Sequence, residues 1–351
     1  MNWKATVLLV LIAVGAAVVV YINPFEKTEE KEDDPPWFYQ VSFDDLNSID
    51  VSHLDNQVSF HRPERHTWVF DDPAGIPPDH FRWGGIVLLL SGPQTKRDFS
   101  TVRAVIDDPA EYGLDAPQLI VEVGLTANRN ISFRLGDATA DGSFNYAQVT
   151  GFPQLFLIAK SWGDVLGRLA DEPPIPKWFV KREFSEIDEV SVFLGDDGDE
   201  EAAVLRIQKE DGEWVARNLA IDDENRPLDA DKFAEFYPHM VGPPEVLVEI
   251  PRNEDRDYTR WGIEDNGPSI EIRFRGTTER GTSFIDGVLF RMGDKTDDGR
   301  HYYATSASDA VINAVLKLDA KWTEMMYSLL EDTPYGDISG SVLGTNTKPT
   351  G

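Results

Sequence analysis

At 351 residues and 41% hydrophobic, the chain is long enough for two domains with cores of their own, and 27% charged residues exclude a body embedded wholly in lipid. Its 62 acidic against 33 basic residues give a formal net charge of −29, a surface that repels nucleic-acid phosphates, so no nucleic acid is expected as a partner. Without a single cysteine, disulfide frameworks, zinc-thiolate sites and cysteine nucleophiles are closed to it.

Residues 1–25 read as an N-terminal transmembrane anchor. Ala5 to Ile22 is uncharged over 18 residues, a helix of about 27 Å at ~1.5 Å per residue, enough to cross the hydrocarbon core. Lys4 precedes it and Glu26 is the first acid after it. Positive-inside asymmetry then predicts a cytoplasmic N-terminus and a single pass through the inner (cytoplasmic) membrane, with the bulk of the chain periplasmic or extracellular. The membrane, met through residues 5–22, is the first expected partner. Residues 26–36 are acidic, lack apolar periodicity and end in Pro35-Pro36, which reads as a solvated stalk.

Beyond the stalk the chain repeats itself. Pro36-Trp37-Phe38-Tyr39 corresponds to Lys177-Trp178-Phe179-Val180, and Ile49-Asp50-Val51 to Val190-Ser191-Val192. Val58 to Val69 alternates around a Pro63-Glu64 turn, and Val204 to Val215 around Asp211-Gly212, which brings Trp68 and Trp214 into correspondence. Weak helices are predicted over Asp79 to Leu90 and Asp229 to Met240. Tyr112-Gly113 with Pro117 matches Trp261-Gly262 with Pro268, a turn feeding a strand. A hairpin follows, in which Gly136, Asp137, Asp141, Gly142 and Tyr146 match Gly293, Asp294, Asp298, Gly299 and Tyr303. Amphipathic helices over Gln154 to Leu169 and Ser308 to Leu330 close the two copies, with Trp162 matching Trp322.

The predicted unit is therefore β-β-α-β-β-β-α. The fold class is α+β, two tandem copies of a mainly antiparallel sheet with helices on one face, preceded by one transmembrane helix. The predicted divisions are a first module at 37–170, a proline-rich joint at 171–177, a second module at 178–332 and a disordered tail at 333–351.

Tyr112-Gly113-Leu114-Asp115-Ala116-Pro117, the strand and hairpin after it and the closing Leu169-Ala170-Asp171 resemble the domain-of-unknown-function 4340 family. Trp261-Gly262-Ile263 through Leu330-Glu331-Asp332 is a second, more diverged match, with Asn266-Gly267 inserted before Pro268 and Trp261 in place of the tyrosine. The resemblance implies a membrane-anchored extracytoplasmic protein, in some cases found with ABC-type transporter components. It brings no catalytic residues.

Asp137, Asp141, Asp294 and Asp298 are the foremost candidates for chemistry, since carboxylates around a glycine-rich turn are the hard oxygen ligands that calcium uses. Aspartate and glycine are also what tight hairpins require, and that structural reading is preferred, with no metal and no cofactor expected. His61 and His66 flank the Arg62-Pro63-Glu64-Arg65 turn and, with His53 and His80, offer a transition-metal alternative; surface histidines are preferred. No nucleophile elbow, Walker loop or dinucleotide fingerprint is present. The expected function is non-enzymatic: an accessory subunit binding a protein partner in an envelope complex such as an ABC-type transporter. The alternatives are a glycan- or lipid-linked-substrate binding module, which exposed Trp162 and Trp322 would favour, and an envelope hydrolase, which needs a deep pocket holding two carboxylates.

Overall fold

A computed structural model describes residues 38–92, 95–98, 106–195, 204–277, 281–306 and 313–336. The anticipated anchor and stalk and residues 337–351 lie outside the described residues. Among the described residues no helix is long and apolar enough to cross a membrane. The architecture is mostly antiparallel sheet, in two sheets, with few helices.

The first half builds eight strands: β1 (Leu46–His53), β2 (Asn56–Glu64), β3 (Thr67–Phe70), β4 (Thr95–Asp98), β5 (Leu119–Leu125), β6 (Arg129–Ala138), β7 (Phe144–Val149) and β8 (Phe156–Ala159). The second half builds nine: β9 (Ile187–Phe193), β10 (Leu205–Glu210), β11 (Glu213–Asn218), β12 (Asn225–Pro227), β13 (Val246–Ile250), β14 (Ser269–Thr277), β15 (Ser283–Lys295), β16 (His301–Ser306) and β17 (Val315–Asp319). The first sheet runs β3-β2-β1-β5-β6-β7-β8-β4, and the second β12-β11-β10-β9-β14-β15-β16-β17-β13. Leaving out the short β12 at one edge, the second order is the first repeated strand for strand. Register agrees as well, since Ile49 pairs with Phe60 and Val123 as Val190 pairs with Ile207 and Ile272 across the matching strands.

Alternation explains why one face of each sheet is dry. In β5, Leu119, Val121, Val123 and Leu125 are buried while Ile120 and Glu122 face outward, the period of two that a half-buried strand requires. Two cores result, one around Phe60, Phe133 and Leu166, the other around Phe233, Phe290 and Trp322. Trp178 and Val248 pack against both. The proline-rich joint is fastened to the first half, where Asp79 N donates to Pro174 O at 2.6 Å and Arg82 Nη1 to Pro173 O at 3.0 Å.

Several elements differ from the sequence expectation. Gln154 to Leu169 is not one helix. Phe156–Ala159 forms β8, and only then does α3 (Lys160–Asp171) begin, because the alternately buried Phe156 and Ile158 are held in a ladder with β7. The second half does the same, with β17 preceding α6 (Ala320–Ser328), whose N-cap Asp319 accepts from Trp322 N at 2.8 Å. Asp79 to Leu90 breaks into α1 (His80–Trp83) and α2 (Ile86–Leu90) at Gly85, which adopts φ 85°. Asp229 to Met240 likewise becomes α4 (Ala230–Ala234) and α5 (Tyr237–Met240), with Pro238 accommodated in the first turn of α5. The β2–β3 reversal lies after Pro63-Glu64, at Arg65 and His66, where His66 takes φ 64°. The first half thus reads β-β-β-α-α-β-β-β-β-β-α, three strands more than expected. Residues 333–336, assigned by composition to the tail, instead join the second half: Thr333 is buried and Tyr335 bridges to Leu228.

Candidate functional site

The Gly-Asp hairpins are built on tight turns closed by their own side chains. Gly113 and Gly262 follow 3-10 turns at φ 66° and 67°, and a β-carbon on either would meet the carboxylate of Asp137 or Asp294 within 2.6 Å. Gly136 and Gly293 lie beneath the carbonyls of Tyr112 and Trp261, where a β-carbon would come within 2.1 and 2.2 Å of oxygen. At the hairpin tips Gly142 and Gly299 both take φ 70°. Asp141 accepts from Thr139 Oγ1 at 2.6 Å and Ser143 N at 3.1 Å. Asp298 accepts from Thr296 Oγ1 at 2.7 Å and Arg300 N at 3.0 Å. The threonine hydrogen bonds, with backbone donors behind them, hold both carboxyls below the usual aspartate range. Tyr112 meets Tyr146 edge-on at 5.0 Å, and Tyr303 packs against the small cluster of Trp261, Ile263 and Val315. Pro117 is half-buried just ahead of β5, and the Pro268 carbonyl accepts from Met292 N at 2.7 Å.

Among the described residues no group of three or more His, Asp or Glu side chains is arranged to hold a metal. The four histidines of the transition-metal alternative are dispersed. His53 Nδ1 lies 2.9 Å from both Asp171 carboxylate oxygens, and this hydrogen bond, followed by one from Asn56, lowers the Asp171 pKa. His61 is hydrogen-bonded to Asp71. His66 and His80 line one cavity. Trp162 and Trp322 are buried, donating Nε1 to Leu89 O at 3.3 Å and His239 O at 2.8 Å, so neither is available as a sugar platform.

The feature with binding character is the cavity that holds those two histidines. It encloses about 520 Å³ and is walled by Phe43, Arg62, Trp68, Trp83, His66 and His80, with Arg252 entering from the segment after β13. Its lining includes no aspartate or glutamate, in a chain with 62 of them. Trp83 is stacked obliquely on Phe60 at 4.5 Å and on Trp68 at 5.8 Å, and the Arg62 guanidinium sits 6.0 Å from the Trp68 ring. In the wall, Phe43 and Leu88 are 48% and 69% exposed, and Phe81, whose ring meets that of the wall residue His80, is 74% exposed. The conjunction of two arginines, two histidines and three aromatic rings makes a slot for flat, electron-rich or anionic groups.

Strand register identifies what stands at the same place in the second half. Counting on from the Phe60–Ile207 correspondence, Arg62 answers to Lys209 and Trp68 to Trp214; from the N-caps Asp79 and Asp229, Trp83 answers to Phe233 and Val87 to Tyr237. There the Tyr237 ring stacks on Phe184, the counterpart of Phe43, at 3.9 Å and 18°. Phe184 also stacks on Trp214 at 5.4 Å, and Lys209 Nζ lies 4.9 Å above Trp214. One half occupies its slot with its own tyrosine; the other, with valine at that position, leaves it open.

The converse holds on the neighbouring part of the sheet. In the first half Phe38 is buried edge-on against Phe133 and Phe156, and the Tyr39 hydroxyl donates to Leu90 O at 2.8 Å. Phe179 and Val180, their counterparts, instead flank a groove of about 830 Å³ floored by Ile272, Phe274, Val288 and Phe290. Neither cavity is marked by a sequence motif, although the Trp68/Trp214 correspondence lies within a few residues of the first.

No family model, no curated protein and no solved structure matches the chain.

Proposed function

We propose that this is a non-enzymatic, membrane-tethered subunit that binds a protein partner in an extracytoplasmic complex of the ABC-transporter-associated kind. The observation that carries the reading is the open aromatic slot with the exposed Phe43 and Leu88 in its wall, since exposed apolar surface beside charge marks an association surface. The uncharged run at 5–22, with Lys4 before it and acids after it, supports the tether and the single-pass orientation. The shared strand order, the equivalent glycines and the paired tryptophans support descent from a duplicated module of the domain-of-unknown-function 4340 type.

Affinity purification of the full chain from gently solubilised native membranes is expected to bring down a stoichiometric partner. Recovery of the chain alone, with native proteins expressed, contradicts the proposal. A second reading, binding of a lipid-linked substrate, is favoured by the 830 Å³ apolar groove in the second half, whose lining also carries Lys181 and Arg182.

A further inference from the structure

We infer that the open slot of the first half binds a planar aromatic ring bearing a negative charge, and that Tyr237 in the second half shows how such a ring is held. The inference deepens the partner-binding reading by naming what the partner presents, but its footing is the slot itself and its test needs no membrane complex.

Three observations converge. First, the scaffold is the same at both places: a strand cation over a tryptophan, an aromatic residue in the 3-10 turn before the first strand, and an aromatic residue on the short helix after the N-cap aspartate. In the second half this frame holds a phenol face to face against Phe184. Second, the one position that supplies the phenol is valine in the first half, so Phe43 keeps a free face and stays half exposed where Phe184 is covered. Third, the charge of the open slot is opposite in sign to that of the chain. Arg62 and Arg252 stand in it with no acid among the lining residues; the acid paired with Arg252 Nε, Glu254 at 3.4 Å, lies outside the lining. Arg62 holds the Asp44 carbonyl through Nη2 at 2.5 Å, which fixes the guanidinium beside the ring, and a guanidinium carries five N–H donors in a fork that suits a carboxylate or phosphate.

The occupant is a tyrosine in an acidic segment of a partner chain: the matching slot is filled by a tyrosine of a polypeptide, and Phe43 and Leu88 in the wall are 48% and 69% exposed, apolar surface that a segment flanking the tyrosine would cover. Calorimetry of the full chain in mild detergent would use acetyl-Asp-Glu-Tyr-Asp-Glu-amide, the same peptide with alanine for tyrosine, and 4-hydroxyphenylacetate. The tyrosine peptide is expected to bind and the alanine peptide not to. The peptide is expected to bind tighter than the small acid; binding of the small acid alone overturns the assignment to a partner segment.

Val87→Tyr should place a phenol where Tyr237 stands and lower affinity for the bound probe by more than about tenfold, with a thermal midpoint no lower than that of the unsubstituted chain. Phe43→Ser, at an exposed site, should lose binding to a similar degree without disturbing the fold, and Arg62→Ala should weaken the charged probes. Absence of binding by both aromatic probes overturns the inference, as does binding that survives Val87→Tyr or Phe43→Ser unchanged. A failed co-purification with intact probe binding would remove the transporter reading and leave the slot standing.

Discussion

Trp322→Ala is expected to destabilise the second half by ~3–5 kcal/mol, the range for truncating a fully enclosed aromatic side chain. The indole is 1% exposed, is met edge-on by Phe290 at 6.0 Å, and donates to His239 O at 2.8 Å. That last bond is the decisive one, because it ties α6 to the carbonyl at the middle of α5 and so to the helix that carries Tyr237 into the slot. Removing the indole leaves a cavity and breaks this bond together, while His239 O keeps its acceptance from Gly242 N at 3.3 Å, so the penalty is chiefly that of the cavity. Trp162→Ala should act in parallel on the first half by somewhat less, since Trp162 is 7% exposed and its bond to Leu89 O is longer, at 3.3 Å. Urea denaturation of the two variants, followed by probes in each half, measures this. Equal midpoints for either variant and the unsubstituted chain would show that the indoles do not hold the helices down.

Gly136→Ala and Gly293→Ala are expected to cost ~1–3 kcal/mol each or more, as overpacking against rigid atoms does. The added carbon would lie 2.1 Å from Tyr112 O in one half and 2.2 Å from Trp261 O in the other, and a backbone carbonyl pinned by a left-handed glycine one residue later has little room to retreat. Gly142→Ala supplies the internal contrast. Its β-carbon would meet nothing within 4 Å, so only the strain of φ 70° remains, about 1–2 kcal/mol. Matching losses at 136 and 293, each exceeding the loss at 142, would show in energy the equivalence that the strand orders show in geometry.

Much of this architecture was legible before any coordinates, for reasons particular residues make plain. The glycines of the Gly-Asp hairpins stand where backbone packs on backbone or φ is positive, so any chain adopting this turn must carry them at fixed spacing. Trp162 and Trp322 recur because each must reach one carbonyl on a facing helix. What stayed hidden was decided at longer range. Phe156–Ala159 and Val315–Asp319 carry apolar patterns that suit the start of an amphipathic helix as well as a strand, and only the ladders with β7 and β16 settle the matter. The slot was invisible because its defining feature is a difference, valine against tyrosine, at a position inside a helix that itself breaks at Gly85. What the two halves have in common carries no trace of a place where they differ.

The central claim, that the first half keeps an aromatic slot open for a partner while the second half has filled its own, is tested most directly by photo-crosslinking from Phe81. This residue is 74% exposed and its ring touches that of His80 in the slot wall at 5.9 Å. With a benzophenone amino acid at that position in native membranes, irradiation is predicted to give one discrete heavier adduct, and Val87→Tyr in the same chain is predicted to abolish it. No adduct, or an adduct indifferent to Val87→Tyr, would contradict the account.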